Sequence, residues 1–364
     1  MRSIDRSTAT ISVILGLVGI FGCPNHLSCQ STRPTGRIVL ESIPFRGIDS
    51  LLPETSNLAV AIDATGAVVW FESQNTELLG TLVDNTAEAS HVVRFGRRGS
   101  GPGELQNPWF VSLSAAGVMV YEPSGRRLKR YTREGKLVSD QAVNIAVGIT
   151  DASLLSISRD GTPQLMASSL ARGTQITLSR PGDSLWNRVH TNSFASSRAE
   201  PFAAAMRGDT VYLATVIGGE LFRLNPRENA IAFGARVPAR LRTPEEVDSL
   251  LAQMSRGIRG PRGQVERLAL PPDAKKKAST QPVRQISPFS GLQIDAAGRL
   301  WRFRDASSGP VADVFADTVL VQRVALPCAP LPRGARIAGN WMILACADPR
   351  PSSDRDVILH RFRF

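Results

Sequence analysis

The chain has 364 residues, 42% of them hydrophobic and 21% charged, with a formal net charge of +11. A chain of that length and apolar content buries a large core, which excludes intrinsic disorder as its main state. Four cysteines without paired Cys-x-x-Cys spacing exclude a disulfide scaffold or a paired zinc site, and four histidines restrict His-rich metal chemistry.

At the N-terminus, Arg2 and Arg6 precede an apolar stretch over 11–21, shorter than the roughly 20 residues that span a bilayer. A basic start, a short apolar run and a break at Gly22-Cys23-Pro24 describe an export signal over 1–22. Ile20-Phe21-Gly22-Cys23 resembles a bacterial lipobox, although Phe21 stands where a small or β-branched residue is usual. The resemblance implies cleavage before Cys23 and lipidation of that cysteine; ordinary secretory cleavage and an uncleaved anchor are the alternatives. The polar, Pro-containing segment 23–36 reads as a tether. Export also changes how the other cysteines read. Cys328 and Cys346 are expected to form a disulfide, with Cys29 left over in the tether.

From 37 onward, short β-type runs are punctuated by Gly, Asp and Asn, the pattern of an all-β protein. Two segments match closely, IDATGAVVWF from Ile62 and IDAAGRLWRF from Ile294, each a strand, an Asp-x-x-Gly turn and a second strand. Weaker copies begin at Leu113 and Met206. Outer strand pairs follow from Leu128, Leu221 and Val311, giving four strands per repeat of about 35 to 45 residues, the propeller period. Units fall near 58–95, 109–143, 145–180, 201–240, 287–326 and 333–364, so a six-bladed β-propeller is expected over 37–364. The strand 37–43 (RIVLESI) precedes the first unit and is expected to complete the last blade beside 357–364, protecting the open edge.

The run Gly96-Arg97-Arg98-Gly99-Ser100-Gly101-Pro102-Gly103-Glu104-Leu105, followed by Pro108, resembles the inter-blade link of NHL-type β-propellers. More broadly, the chain resembles exported six-bladed propeller lipoproteins of bacteria, which also tend to carry a helical insertion before the fifth blade. Read from its residues, the link is a sharp crossing whose amides an acceptor such as Glu104 can hold. Pro102 and Pro108 prevent the helix that a nucleotide-binding glycine loop needs.

An insertion spans 241–286. Thr243-Pro244-Glu245-Glu246 is a capping box, Val247, Leu250, Leu251 and Met254 follow at helical spacing, and Gly257 stops the helix. Its apolar face is expected to rest on the propeller, as a cap or as a lid or partner-binding helix, while Lys275-Lys276-Lys277 reads as a solvated loop. Charge is uneven: 94–136 carries nine basic and three acidic side chains, and 241–286 nine basic and five acidic. If links and insertion share one face, that face is basic. Candidate contact residues are Arg97, Arg98, Arg126, Arg127, Arg259, Arg262, Lys275, Lys276 and Lys277.

Among those basic residues only Trp109, Tyr121 and Tyr131 could stack on bases, which disfavours nucleic acid as the partner. An unknown protein or an anionic envelope component fits better, reached by a monomer held at the membrane through its lipid anchor. His91, His190 and His360 lack ligand spacing, and Glu41, Glu72, Asn144 and Asn340 form no calcium motif. Asp63 and Asp295 read as turn residues. No Gly-x-Ser-x-Gly elbow occurs. No catalytic residue, metal ligand or cofactor is therefore expected. The sequence points to a non-catalytic cell-envelope propeller that binds a protein or anionic ligand through one face. A metal-assisted propeller enzyme of lactonase or lyase type is the alternative.

Overall fold

The computed structural model describes most residues from 37 to 364. Residues 1–36 lie outside the described residues, as do segments such as 46–52, 73–79, 143–150, 180–189, 195–201, 225–230 and 349–356. For the strands between 151 and 194 the backbone alone is described. The expected signal, tether, Cys23 and Cys29 therefore fall outside the described residues.

The chain is built from four-stranded antiparallel sheets. After the short β1 (Glu41–Ser42), the first sheet holds β2 (Leu58–Ile62), β3 (Val68–Glu72), β4 (Gly80–Asn85) and β5 (Ser90–Phe95). The second holds β6 (Phe110–Ser114), β7 (Gly117–Glu122), β8 (Arg127–Tyr131) and β9 (Leu137–Ala142). The third follows with β10 (Asp151–Ile157), β11 (Pro163–Ser169), β12 (Thr174–Ser179) and β13 (His190–Phe194). β14 (Phe202–Arg207), β15 (Thr210–Thr215), β16 (Leu221–Leu224) and β17 (Ile231–Phe233) form the fourth. An insertion then carries α1 (Pro244–Ser255), β18 (Ile258–Arg259), β19 (Val265–Glu266) and α2 (Ala274–Thr280). The fifth sheet is β20 (Leu292–Ile294), β21 (Leu300–Ala306), β22 (Gly309–Ala316) and β23 (Val319–Ala325). The last combines β24 (Pro330–Ala338), β25 (Trp341–Ala347) and β26 (Val357–Arg363) with β1.

The first strands β2, β6, β10, β14, β20 and β24 adjoin in a closed ring, so the architecture is a β-propeller. Five of these sheets are described with their side chains, so five blades stand against the six expected; β10–β13 is described through its strand pairing alone. That sheet also extends to Phe194, beyond the boundary expected near 180. Its last strand, HTNSF, is polar and carries no apolar alternation to betray it.

Sheets covered on both faces need apolar residues at every position, and β2 (LAVAI) is buried throughout. Between the first two sheets, Phe71 meets Phe95 edge-on at 5.5 Å and Phe95 meets Tyr131 at 4.9 Å. Between the fifth and last, Trp301, Phe303, Met342 and Leu344 share one cluster. The repeated turns work as the sequence predicts. Asp63 accepts from the amides of Thr65 (2.8 Å) and Ala67 (3.1 Å), and Gly66 takes φ +88° against the Trp341 ring, where a Cβ would sit 2.7 Å from ring carbon. Asp295 accepts from Arg299 N (2.9 Å) and Trp301 Nε1 (2.9 Å).

The ring closes with the N-terminal strand. Glu41 and Ser42 pair with Arg363 and Phe362, and Ile43 N donates to Arg361 O at 2.8 Å. Ahead of them, the Gln322 amide reads the backbone of Ile38: Ile38 N donates to Oε1 (2.8 Å), and Nε2 donates to Ile38 O (2.9 Å). Cys328 and Cys346 form a disulfide with Cα atoms 6.1 Å apart, joining the link before β24 to β25.

The turns between first and second strands gather at one end of the ring. Arg207 donates to Gly298 O, Ala296 N to Gly339 O, Arg361 to Gly66 O, and Arg133 to Asp63. Antiparallel order then places the links between sheets, and the connections from second to third strands, at the opposite end, here called the link end.

The insertion before the fifth sheet differs from its expectation in one respect. The capping box forms reciprocally, Thr243 N to Glu246 Oε2 (2.9 Å) and Glu246 N to Thr243 Oγ1 (3.3 Å). Yet α1 is not a lone helix, because Lys275-Lys276-Lys277 lies on α2, which packs against it. The lysines face solvent while Ala278 is buried, and Arg242 donates to Ala278 O at 3.2 Å. The insertion's ends meet where Leu241 bridges Pro282.

Candidate functional site

The glycine-rich link 96–108 spends its polar groups on itself and on the second sheet. Gly101 N donates to Glu104 Oε2 (2.8 Å), Gly99 N to Leu105 O (3.0 Å) and Leu105 N to Arg97 O (2.7 Å). The Gly101 amide, aided by Arg97, holds the Glu104 carboxyl below its ordinary pKa. Lys129 donates to Glu104 O, Tyr131 OH to Gly103 O (3.0 Å), and Asn107 N to Glu122 Oε1 (3.0 Å). Lys129 and Glu122 form a buried ion pair at 2.7 Å. Such a link is a structural crossing whose amides face its own glutamate.

The described candidate contact residues occupy the link end by topology: Arg97 and Arg98 in the link before β6, Arg126 between β7 and β8, Arg127 opening β8, and Arg259 and the three lysines in the insertion. Several are already paired. Arg97 bonds Glu104 (2.6 Å), Arg127 bonds Asp140 (2.6 Å), Lys275 bonds Asp248 (3.1 Å) and Lys277 bonds Asp273 (2.7 Å). Arg98, Arg126 and Lys276 are exposed, and the side chains of Arg259 and Arg262 lie outside the described residues. The charge of Arg97, Arg127, Lys275 and Lys277 is thus partly neutralised locally.

Two groups of arginines escaped the sequence reading. In the fifth sheet, the fully buried Asp313 receives Arg302 (2.7 Å), Arg304 (2.6 Å) and Arg323 (2.8 Å). Burial pushes its carboxyl up, but the three hydrogen-bonded guanidinium groups outweigh that and bring it to about 2. Arg302 also donates to Gly219 O (3.0 Å) and Ala235 O (3.1 Å), tying the fifth sheet to the fourth. This node is structural, since every guanidinium in it has a carboxylate oxygen.

The second group lies on β24, one of the strands that surround the axis. Arg333 sits at φ +65° in the irregular stretch between Pro330 and Ala335, a conformation that costs a non-glycine residue about 1–3 kcal/mol. Its guanidinium lies 5.6 Å over the ring of Trp109, which precedes β6. Because β2 lies between β24 and β6 in the ring, this contact reaches past a neighbour at the link end of the axis. Burial lowers Arg333 to about 10. Arg336, three residues on, is lowered to about 10 by burial and then by the charge of Arg333. Arg336 also donates to Ala335 O at 2.9 Å, and the two cations lie three residues apart on this strand. Sequence offered one signal, two arginines inside an otherwise apolar first strand.

The histidines do not converge: His91 is exposed on β5, and His360 is half-buried on β26, where burial lowers its pKa. The side chain of His190 lies outside the described residues. Among the described residues, one group of side chains has metal-ligand spacing, Cys328, Cys346 and His360, whose donor atoms lie within 4.8 Å of one another.

No family model matches the chain, so the likeness of 96–108 to an NHL-type link rests on that motif alone. No curated protein matches it either. Solved structures similar to it include a Bacteroides fragilis protein described as exported, 11% identical, covering 90% of this chain and 95% of the other at a TM-score of 0.48. A DUF4221 family member from Bacteroides vulgatus is 8% identical over 86% and 92%, with a TM-score of 0.47. Aldose sugar dehydrogenase from Streptomyces coelicolor, in its PQQ-bound form, is 14% identical over 89% and 98%, with a TM-score of 0.45. Likenesses at this level carry no argument about activity. Among the described residues no helix is long and apolar enough to cross a membrane.

Proposed function

We propose that this chain is an exported, six-bladed β-propeller of NHL type, held at the cell envelope through Cys23, that binds an anionic ligand at the link end of its axis. The observation that carries the reading is Arg333 on β24 with Trp109 against it, and a second cation, Arg336, three residues on along the same strand. Guanidinium groups recognise carboxylate and phosphate through paired hydrogen bonds, and they do so best where water is excluded. The basic residues of the link before β6 and of the insertion lie at the same end by topology and steer anions toward it. No side chain in this group is placed as a nucleophile or general base, so its chemistry is that of a binding module.

Calorimetric titration of the purified protein with inorganic phosphate, a polyuronate oligosaccharide and anionic vesicles tests this reading. Saturable binding of at least one is expected. In an Arg333→Met/Arg336→Met double variant it weakens by about 10- to 100-fold, the worth of one or two charge-assisted hydrogen bonds. Absence of binding to all three, or equal affinity in the double variant, overturns it.

A further inference from the structure

We propose that reduction of the Cys328–Cys346 disulfide creates a soft-metal site completed by His360, so that a zinc-type ion can take over the cross-link when the covalent bond is lost. The three residues come from separate parts of the last sheet and its approach. Cys346 and His360 lie on neighbouring antiparallel strands, where Leu344 pairs with His360 and Cys346 with Ile358. Their side chains therefore share one face, a diagonal apart. Phe362, on that face and stacked on His360 at 6.1 Å, joins Cys346 in one apolar cluster. Cys328 arrives from the link before β24.

The geometry suits the chemistry. The donor atoms all lie within 4.8 Å of one another. A tetrahedral ion with Zn–S of about 2.3 Å and Zn–N of about 2.0 Å spaces its donors about 3.5–3.8 Å apart. Once the S–S bond breaks, the two sulfurs separate to about that spacing by van der Waals repulsion alone. The ladder between β25 and β26 keeps Cys346 and His360 in place meanwhile. Two thiolates and an imidazole form a Cys₂His set with a fourth position open to water.

The reaction balances with a dithiol as reductant. It passes two electrons and two protons to the Cys328 and Cys346 sulfurs and becomes a disulfide itself. The divalent ion then displaces the two thiol protons and keeps its oxidation state. The result restores a tie between the link and β25 without the covalent bond. Since the histidine is half-buried and Cys328 is partly exposed, solvent and a small ion reach the site from the surface.

The test titrates cobalt(II) and zinc(II) into the full chain, disulfide-intact and after reduction, with excess reductant removed anaerobically. The reduced protein is expected to bind one ion with thiolate-to-cobalt charge transfer and tetrahedral d–d bands; the oxidised protein shows neither. A His360→Phe variant, which preserves the apolar contact with Phe362, is expected to bind at least about tenfold more weakly. Zinc should raise the unfolding midpoint of the reduced wild type and not that of the reduced variant. Absence of thiolate charge transfer, equal affinity in the variant, or loss of sheet signal on reduction despite added zinc each overturns the proposal.

Discussion

The Asp313 node and the Arg333–Arg336 pair hold guanidinium groups in neighbouring sheets, yet they differ in the charges found beside them. At Asp313 one carboxylate sits inside three guanidinium forks, and the hydrogen bonds run across three adjacent strands. At β24 the charge that Arg336 feels is that of Arg333, and the backbone beneath Arg333 is held in a left-handed conformation. A buried charge matched within its own blade holds the fold together. Two like charges three residues apart on one strand disfavour one another, and an anion bound there, as proposed above, would relieve that cost.

That contrast breaks most easily at Asp313. Replacing it with Asn leaves Arg302 and Arg304 buried without their anion and should cost about 3–5 kcal/mol in urea unfolding; a loss below about 1 kcal/mol would erase the distinction. Acid provides a gentler probe. The Asp313 carboxyl falls to about 2 in the folded protein from an ordinary 3.8, so its ionised form is the stabilising one. Roughly 2 kcal/mol is therefore present above about pH 4 and is lost as pH falls toward 2, and this slope should vanish in Asp313→Asn. Arg333→Met and Arg336→Met should move stability by less than about 1 kcal/mol in either direction, because each removes a like charge along with its packing. Smallest of all is the anion effect on the unfolding midpoint. Sulfate stabilises folded proteins generally, but the wild type should gain a degree or two more than the Arg333→Met/Arg336→Met double variant. Equal gains would remove the anion site from the comparison.

How much of this could be read beforehand depends on the range of the interaction. Asp63, Asp295 and Glu104 act within a few residues of themselves, so their turn roles follow from spacing. Along β21, Phe303 enters the core between sheets while Arg302 and Arg304 on either side of it meet Asp313, whose position on the neighbouring strand no local spacing announces. What stayed hidden depends on closing the ring. Trp109 and Arg333 are far apart in sequence and meet because β24 and β6 flank β2. His360 lacks any partner at ligand spacing in sequence, and it reaches the two cysteines through the register between β25 and β26. The helix α2 was missed for a local reason. AKKKAST offers a single buried residue, Ala278, and so no apolar periodicity, and its support comes from α1.

The Gln322 clamp on Ile38 has a mechanical meaning. The chain enters the propeller at Ile38, where the ring is sealed by two hydrogen bonds with the Gln322 side-chain amide followed by the short β1 pairing. A pull from the N-terminal side meets Gln322 first and then loads the β1–β26 ladder, before any complete sheet bears tension. The hydrophobic seams between sheets lie behind this joint, as does the disulfide of the last blade. If the chain is tethered upstream, its weakest element in tension is therefore also its latch, and strain on the tether would open the ring at a defined place while the sheets stayed whole.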